Sequence, residues 1–267
     1  MTLGPSLHVV LDHGVIAFSL FSFVLLAAVG SVGLLLGIRR LRRRQVPDRE
    51  VAGVSTITAG MLGVMGFLLA LTISFAQQRY EARRLTTVTE ANAIGTAWLR
   101  TGFADSAKPL SALIEAYAHV RITYLSATTL EQQTAATKQT GDLQTQIWQR
   151  AMDIQTSMPP PLAASLAAAL NDMFDASLAQ RFALESRAPV ETSLTLLVGA
   201  VLTIGALGFQ MGIDAYRPYF TGLLLLFMLS GGMTLIVDLS QPHLGYTRVE
   251  SEPLEWTIQG FGTPSRP

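Results

Sequence analysis

Long uncharged stretches dominate the pattern of hydrophobic and polar positions along this chain. Four stretches of 20 to 26 residues contain no Asp, Glu, Lys, Arg or His: Val15–Ile38, Val51–Ala76, Thr192–Ile213 and Pro218–Val237. A helix needs about 20 apolar residues to cross the hydrocarbon core of a bilayer, and a helix satisfies its own backbone hydrogen bonds there. The pattern predicts transmembrane helices over residues 15–38, 53–76, 192–213 and 219–238. Buried helices of a soluble protein are the alternative, and four such runs argue against it.

The segment between the second and third spans, residues 77–191, has a different, helical pattern with polar positions. The second span is expected to continue past Ala76, because residues 77–99 contain no proline and a single glycine. Asp105 or Ser106 can cap the next helix, with Pro109 in its first turn. Two further helices are predicted over Leu130–Met158, weakened at Gly141, and over Leu162–Arg187.

Each predicted helix of this segment has one apolar stripe at spacings of three and four, as in a helical bundle. The stripes pack within the chain or against a neighbouring subunit, and the sequence does not separate these two uses. The stripes are Leu85, Val88, Asn92, Gly95 and Leu99; Leu110, Leu113, Tyr117, Val120 and Tyr124; Leu143, Ile147, Ala151 and Ile154; and Leu166, Leu170, Phe174 and Phe182.

The prediction is an all-α integral membrane protein with four transmembrane helices and an inserted helical bundle domain. Residues 1–76 hold the first two spans and the Arg-rich loop 39–52. Residues 77–191 form the inserted domain, and residues 192–238 hold the third and fourth spans. Residues 239–267 are expected to be a short irregular tail.

Composition narrows the functional classes. Hydrophobic residues make up 49% of the 267-residue chain and charged residues only 14%, which is typical of a membrane protein. The chain has no cysteine, so disulfides and thiolate chemistry are excluded. Its formal net charge of zero gives no reason to expect nucleic acid as a partner.

Arginines are unevenly distributed around the predicted spans. Six of them lie in loop 39–52 against two acids, and cytoplasmic loops of membrane proteins carry an excess of Lys and Arg. The pattern places this loop in the cytoplasm and both termini and the inserted domain on the extracytoplasmic side of the cell inner membrane. Three more arginines follow the second span directly, and they argue for the opposite orientation. Two acids in the same stretch reduce their net charge, so they do not outweigh the arginines of loop 39–52. The loop arginines are Arg39, Arg40, Arg42, Arg43, Arg44 and Arg49.

The chain offers little for catalysis. His8 and His13 lie in a terminal stretch and are expected to be solvated, and His119 has no second ligand at metal-binding spacing. Phosphate-binding loops, dinucleotide fingerprints and hydrolase motifs are missing. We therefore predict no catalytic residue, no metal site and no cofactor, and an enzyme is the least favoured class.

The second span has two distinct faces. Small residues line one of them: Ala59, Gly63, Gly66, Ala70 and Ser74. Small residues allow helices to approach closely in lipid, so this face is expected to pack against other helices, as are Gly33-x-x-x-Gly37 and Gly208-x-x-x-Gly212. The opposite face carries Thr58, Leu62, Met65, Leu69, Thr72 and Ala76, and it contacts lipid, other helices or a pore. Spacing alone favours lipid or helix contact over a pore.

Two segments carry a resemblance to a known family. Leu68–Arg84, continued by Val88–Leu99, and Asp238–Pro253 after the last span are similar to the bestrophin-like family of uncharacterised bacterial and plant membrane proteins, distant relatives of the bestrophin anion channels. The run Arg79-Tyr80-Glu81-Ala82-Arg83 is one residue shorter than the corresponding bestrophin run. Gln241-Pro242-His243 stands where bestrophins carry an Asn-Pro-Phe-like turn.

The resemblance implies a function. Bestrophins are pentameric anion channels whose second spanning helix lines a narrow apolar neck, with the region after that helix in the cytoplasm. By this resemblance the chain is expected to be a homo-oligomer in the lipid bilayer that passes chloride or another small anion. Leu62, Met65, Leu69 and Thr72 would then line the pore, and Arg79, Arg83 and Arg84 would attract anions to its mouth. The alternative is a non-conducting scaffold or sensor with a helical interaction domain outside the membrane.

Overall fold

The computed structural model describes residues 14–43, 45–186, 190–214, 218–241, 247 and 249–261, and within them it contains helices and no strand. Four helices are long and apolar enough to cross a membrane, which confirms the predicted all-α membrane fold. The helices are α1 (Val15–Arg43), α2 (Asp48–Arg100), α3 (Lys108–Ser126), α4 (Leu130–Ile154), α5 (Pro160–Glu185), α6 (Val190–Ile213), α7 (Tyr219–Ser240) and α8 (Glu252–Phe261).

The chain divides into two compact units. Unit 1 comprises Met1–Gln78 and Arg187–Thr247, and unit 2 comprises Arg79–Ser186 and Arg248–Pro267. Helix α2 belongs to both, because it continues without a break for 53 residues past the end of its charge-free segment. The expected continuation of the second span is therefore confirmed.

The tail was expected to be irregular over residues 239–267, and this expectation is wrong for residues 252–261. These residues form helix α8, which packs within unit 2. Leu254 is fully buried, the Phe261 ring stacks on that of Trp98 with centroids 4.6 Å apart, and Thr257 Oγ1 donates to the Ala91 carbonyl at 3.4 Å. A short amphipathic segment thus becomes helical because its apolar side is covered.

In unit 1, helices α1 and α6 touch backbone to backbone. A Cβ added at Gly33 or Gly37 would overlap the carbonyl oxygens of Gly205 and Phe209, and one added at Gly208 would overlap that of Gly30. The two predicted glycine motifs therefore do hold helices at close range, and they contact each other. Because lipid supplies no hydrophobic drive, this close fit stabilises the pair through dispersion contacts.

Two polar contacts add to unit 1. The hydroxyl oxygens of Ser22 and Ser230, both buried, are 2.8 Å apart and join α1 to α7. At the arginine-rich loop, Arg40 Nη2 lies 3.0 Å from Glu50 Oε2 and ties the end of α1 to the first turn of α2. Of the residues discussed above, His8, His13, Arg44, Arg187, Pro242 and His243 lie outside the described part.

Unit 2 is a bundle whose helix starts follow local sequence signals. Thr129 and Gln132 form a reciprocal capping box at the start of α4. Pro109 and Pro160 lie in the first turns of α3 and α5, where a missing N–H costs nothing. Helix α4 runs straight through Gly141, so the expected weakening there does not interrupt it.

Most predicted stripes enter the unit 2 core, and one does not. The stripes of α3 and α4 are buried or half-buried throughout, as are the first three residues of the α5 stripe. Phe182 is the exception in α5, with 75% of its surface exposed. The α2 stripe does not pack within the chain, because Leu85, Val88 and Leu99 are exposed, and its contact with a neighbouring subunit stays a prediction. The residues of α2 that face the core instead are Arg83, Thr87, Glu90, Ala91, Ile94 and Ala97.

Candidate functional site

The membrane part of α2 packs one side against α6 and α7. Met65 is only 2% exposed and belongs to an apolar cluster with residues of both helices. Its sulfur would lie 3.3 Å from a Cβ added at Gly199 of α6. Leu69 similarly fills the space beside Gly232 of α7, where an added Cβ would come within 2.7 Å of Leu69 Cδ2. The glycines of this contact thus come from α6 and α7, and α2 supplies the large side chains.

This packing argues against Met65 as a pore-lining residue, and for Leu62, Leu69 and Thr72 the pore lining stays a prediction. Met65 is buried in its own chain, and Leu62, Leu69 and Thr72 on the same side are half-buried. A side chain that fills the core of unit 1 cannot line a pore between copies. Met65 is buried because α6 leaves space beside Gly199, and the sequence of α2 alone does not contain that information.

The small-residue face of α2 is the one that points away from the rest of the chain. Ala59, Gly63, Gly66 and Ala70 are all exposed, so the predicted helix contact at these residues does not occur within one chain. A Cβ added at Gly63 or Gly66 meets no described atom within 4 Å. Larger side chains share this outward face: Val64, Phe67 and Leu71, with 61%, 64% and 39% of their surfaces exposed.

The three arginines after the charge-free segment have three different environments. Arg83 is buried and donates from Nε to the Ala183 carbonyl and from Nη2 to the Ser186 carbonyl, each at 3.2 Å. Arg83 is therefore a structural residue of unit 2, which contradicts its predicted role at a pore mouth. Arg79 is half-buried on the same side of α2. Arg84 is exposed, 3.9 Å from Glu81.

A polar cluster in the core of unit 2 escaped the sequence analysis. Arg121 Nε donates to Glu90 Oε1 at 2.5 Å, and both side chains are almost fully buried. Arg121 Nη2 also donates to Gln180 Oε1, and Gln180 Nε2 donates to Thr87 Oγ1 at 3.2 Å. Arg83, Thr87, Glu90 and Ile94 recur at helical spacing, and this recurrence indicates a buried side of α2. A search for apolar stripes does not find it, because three of these residues are polar.

Electrostatics in this cluster reflect its burial. Glu90 lies beyond the charge-free segment of α2, and burial raises the pKa of its carboxyl group, while the charge of Arg121 acts in the opposite direction. Burial likewise raises the pKa of Tyr117, whose hydroxyl accepts a hydrogen bond from Gln144 at 3.4 Å. The guanidinium of Arg121 lies 4.7 Å from the ring centre of Tyr124. The groups are satisfied by one another, as a structural network requires.

Side chains that could bind a metal are not grouped in the described part of the chain. Within the described residues, no three His, Cys, Asp or Glu side chains come together as metal ligands. His119 is exposed on α3. The outward face of α2 carries no charge between Val51 and Ala76, and its exposed groups are glycines and large apolar side chains.

Comparison with known proteins places this fold. A sequence model of the Bestrophin-like domain matches residues 24–254. Two single-residue variants of a bacterial bestrophin homologue from Klebsiella pneumoniae have similar folds. One gives a TM-score of 0.69 at 12% identity over 92% of this chain and 97% of the other. The second gives 0.68 at 11% identity over 90% and 96%.

A crystal structure described only as a membrane protein variant is similar as well, with a TM-score of 0.70, 11% identity, and 91% and 97% coverage. Comparison with curated proteins finds no match. The family match covers α1 from residue 24 onward, the other three spans, the inserted domain and the start of α8. The chain belongs to the Bestrophin-like family.

Proposed function

We propose that copies of this chain assemble into a ring in which the outward face of α2 lines a pore for small anions such as chloride. The observation that carries the proposal is that this face is exposed along the membrane segment while the opposite face is packed. The membership in the Bestrophin-like family supports it. The family resemblance supports the choice of an anion.

The residues on the outward face fit a ring of identical helices. Gly60, Gly63 and Gly66 leave room for close approach of a neighbouring helix, since an added Cβ would meet nothing within the described residues. Val64, Phe67 and Leu71 would project toward the axis and form an apolar constriction. Such a constriction gates by excluding water, and it needs no charged side chain.

Of the predicted mouth charges, Arg84 is the one that fits this arrangement. It is exposed eight residues after Ala76, and Glu81 at 3.9 Å offsets part of its charge. An exposed pair of this kind interacts weakly, so the Arg84 guanidinium is free to attract passing anions.

The test is a chloride flux measurement on the purified oligomer in liposomes. Phe67→Ala is expected to raise the flux severalfold, because it widens the apolar constriction. The matched control is Phe227→Ala, which removes the same ring from an exposed site on another span, where Phe227 is 69% exposed. The control should leave the flux unchanged.

Two outcomes would contradict the proposal. One is a correctly assembled oligomer with no chloride flux above that of empty vesicles. The other is an equal effect of Phe67→Ala and Phe227→Ala, which would show that α2 has no special place in the conducting path.

A non-conducting scaffold or sensor is the second candidate. It is favoured by large apolar side chains on the surface of unit 2, among them Leu178 and Phe182 at 66% and 75% exposure. Such side chains on an extramembrane surface commonly mark a contact site. A monomer or dimer by mass measurement in detergent would favour this function, because a ring pore needs several copies of α2.

A further inference from the structure

Three arginines at the end of α1 lie on one exposed face of that helix. Arg39, Arg42 and Arg43 are all exposed, and residues three and four apart are neighbours on a helix surface. Gly33 and Gly37, which contact α6, lie on the other side of the helix, because successive residues are separated by about 100° around the axis. The three arginines are therefore directed away from the rest of unit 1.

These three guanidinium groups form no ion pair among the described residues. Arg40, which lies between them in sequence, lies on a different side of α1 and pairs with Glu50 at 3.0 Å. The loop charge that faces the chain is thus offset by an acid of the chain, and the charge that faces the surroundings is not.

The same face of α1 is apolar in the turns before the arginines. Val32, Leu35 and Leu36 have 56%, 55% and 51% of their surfaces exposed. They precede Arg39 by seven, four and three residues, so they lie on its side of the helix. The face therefore combines an exposed apolar part within the span with a cationic part at its end.

The arginines follow the span at the depth of lipid head groups. Ile38 is the last residue of the charge-free segment, so Arg39 lies about 1.5 Å and Arg43 about 7.5 Å beyond it along the helix axis. The head-group region adds about 5–7 Å to each side of the hydrocarbon core. Clusters of basic residues directly after a membrane span attract anionic lipids.

We propose that the end of α1 binds anionic phospholipids, with Arg39, Arg42 and Arg43 on the head groups and the acyl chains against the apolar part of the same face. A guanidinium donates two parallel N–H groups to phosphate oxygens. The exposed apolar part favours a lipid over free phosphate, which has no acyl chain to place there. The surface lies on α1 and the proposed pore face on α2, so this proposal does not depend on the channel function.

The test is native mass spectrometry of the full chain in detergent with equimolar phosphatidylglycerol and phosphatidylcholine. The natural chain is expected to retain more phosphatidylglycerol. Arg39→Gln, Arg42→Gln and Arg43→Gln should each lower the ratio of bound phosphatidylglycerol to phosphatidylcholine about fivefold, which is the contribution of one basic side chain near a membrane surface. Arg150→Gln, the same charge change at an exposed site on α4, should leave the ratio unchanged.

Two multiple variants test the assigned face and the folding of the protein. Arg40→Gln combined with Glu50→Gln removes the internal ion pair at constant net charge, and it should retain the lipid preference. Arg39→Lys, Arg42→Lys and Arg43→Lys together retain the three charges, and this variant should keep most of the preference. Loss of the preference in either variant would overturn the assignment.

Other outcomes also contradict the proposal. A natural chain that retains both lipids equally would show that anionic lipids do not occupy this face, as when a neighbouring copy covers it. An equal decrease for Arg42→Gln and Arg150→Gln would show that only the total charge matters. Displacement of phosphatidylglycerol by millimolar inorganic phosphate would show that the apolar part of the face does not contribute.

Discussion

Glu90 and Arg121 form a buried ion pair in the core of unit 2, held further by Gln180 and Thr87. A buried pair of this kind contributes little net stability, because desolvation offsets most of the attraction between the charges. Removal of one partner, however, leaves a buried charge without compensation. The cluster therefore contributes more to the choice of helix packing than to the free energy of unfolding.

Arg121→Met is expected to destabilise the protein by about 3–5 kcal/mol, because Glu90 is left buried and unpaired. The double variant Glu90→Leu with Arg121→Met should recover most of this loss. Thermal unfolding of the two single variants and the double variant in detergent measures the coupling. Additive losses would show that the two residues do not act as a pair.

The same variant should respond to pH. Burial raises the pKa of Glu90 above its ordinary value, so the folded state binds a proton more readily than the unfolded state does. Stability of Arg121→Met should therefore fall as the pH rises and recover on acidification. A loss of stability that is constant from pH 5 to pH 8 would contradict this account.

Met65 gives a second prediction for a single residue. Met65→Ala should leave a cavity beside Gly199 and destabilise unit 1 by about 2–5 kcal/mol. Met228→Ala is the matched control, since Met228 of α7 is 63% exposed and its loss should have little effect on the Tm. An unchanged Tm for Met65→Ala would contradict the packing of this residue against α6 and α7.

Whole helices were easier to predict than their faces. The four spans are evident from uncharged stretches long enough to cross a bilayer, because a helix satisfies its own backbone hydrogen bonds in lipid. The environment of each face of α2 was harder to predict, since Met65, Arg83 and Glu90 lie on its buried side and glycines on its exposed side. Which residues are buried depends on the gaps and partners that other helices provide.

Helix α8 was missed for a related reason. Leu254, Ile258 and Phe261 recur at spacings of four and three, which is a helical signal. The segment is only ten residues long, and short helices are marginal without tertiary contacts. Its stability comes from contacts such as the stacking of Phe261 on Trp98, and no local pattern contains that information.

At the element scale, glycines in different spans should differ sharply in their tolerance of a methyl group. Gly208→Ala is expected to lower the Tm, because the added Cβ would overlap the Gly30 carbonyl oxygen of α1. Gly231→Ala on α7 should be neutral or slightly stabilising, since its Cβ meets no described atom within 4 Å and alanine favours the helix. Equal effects of the two variants on thermal unfolding in detergent would contradict the α1–α6 contact.

For the molecule as a whole, the orientation in the membrane is the property that the helices do not determine. The charge distribution predicts loop 39–52 in the cytoplasm and the inserted domain outside, opposite to what the family resemblance implies. Arg40 lies in an ion pair with Glu50, so one of the loop charges is already offset. The remaining arginines still give the loop the largest positive excess in the chain.

Labelling of single cysteines decides the orientation without background, because the chain has no cysteine of its own. Gln139→Cys, exposed on α4, should react with an impermeant maleimide on intact cells. Gln45→Cys in the arginine-rich loop, also exposed, should react only after lysis. The reverse pattern would place the inserted domain in the cytoplasm.

Helices α1 and α6 are too close at their glycine contact to slide along each other. A shift of one residue along either helix would bring side chains such as Leu34 or Ile204 into positions that now hold only hydrogen atoms. Closely packed helices of this kind do not deform gradually, so α1 and α6 are expected to move together as one rigid pair. A change in the diameter of a pore would then require α2 to tilt or rotate relative to this pair.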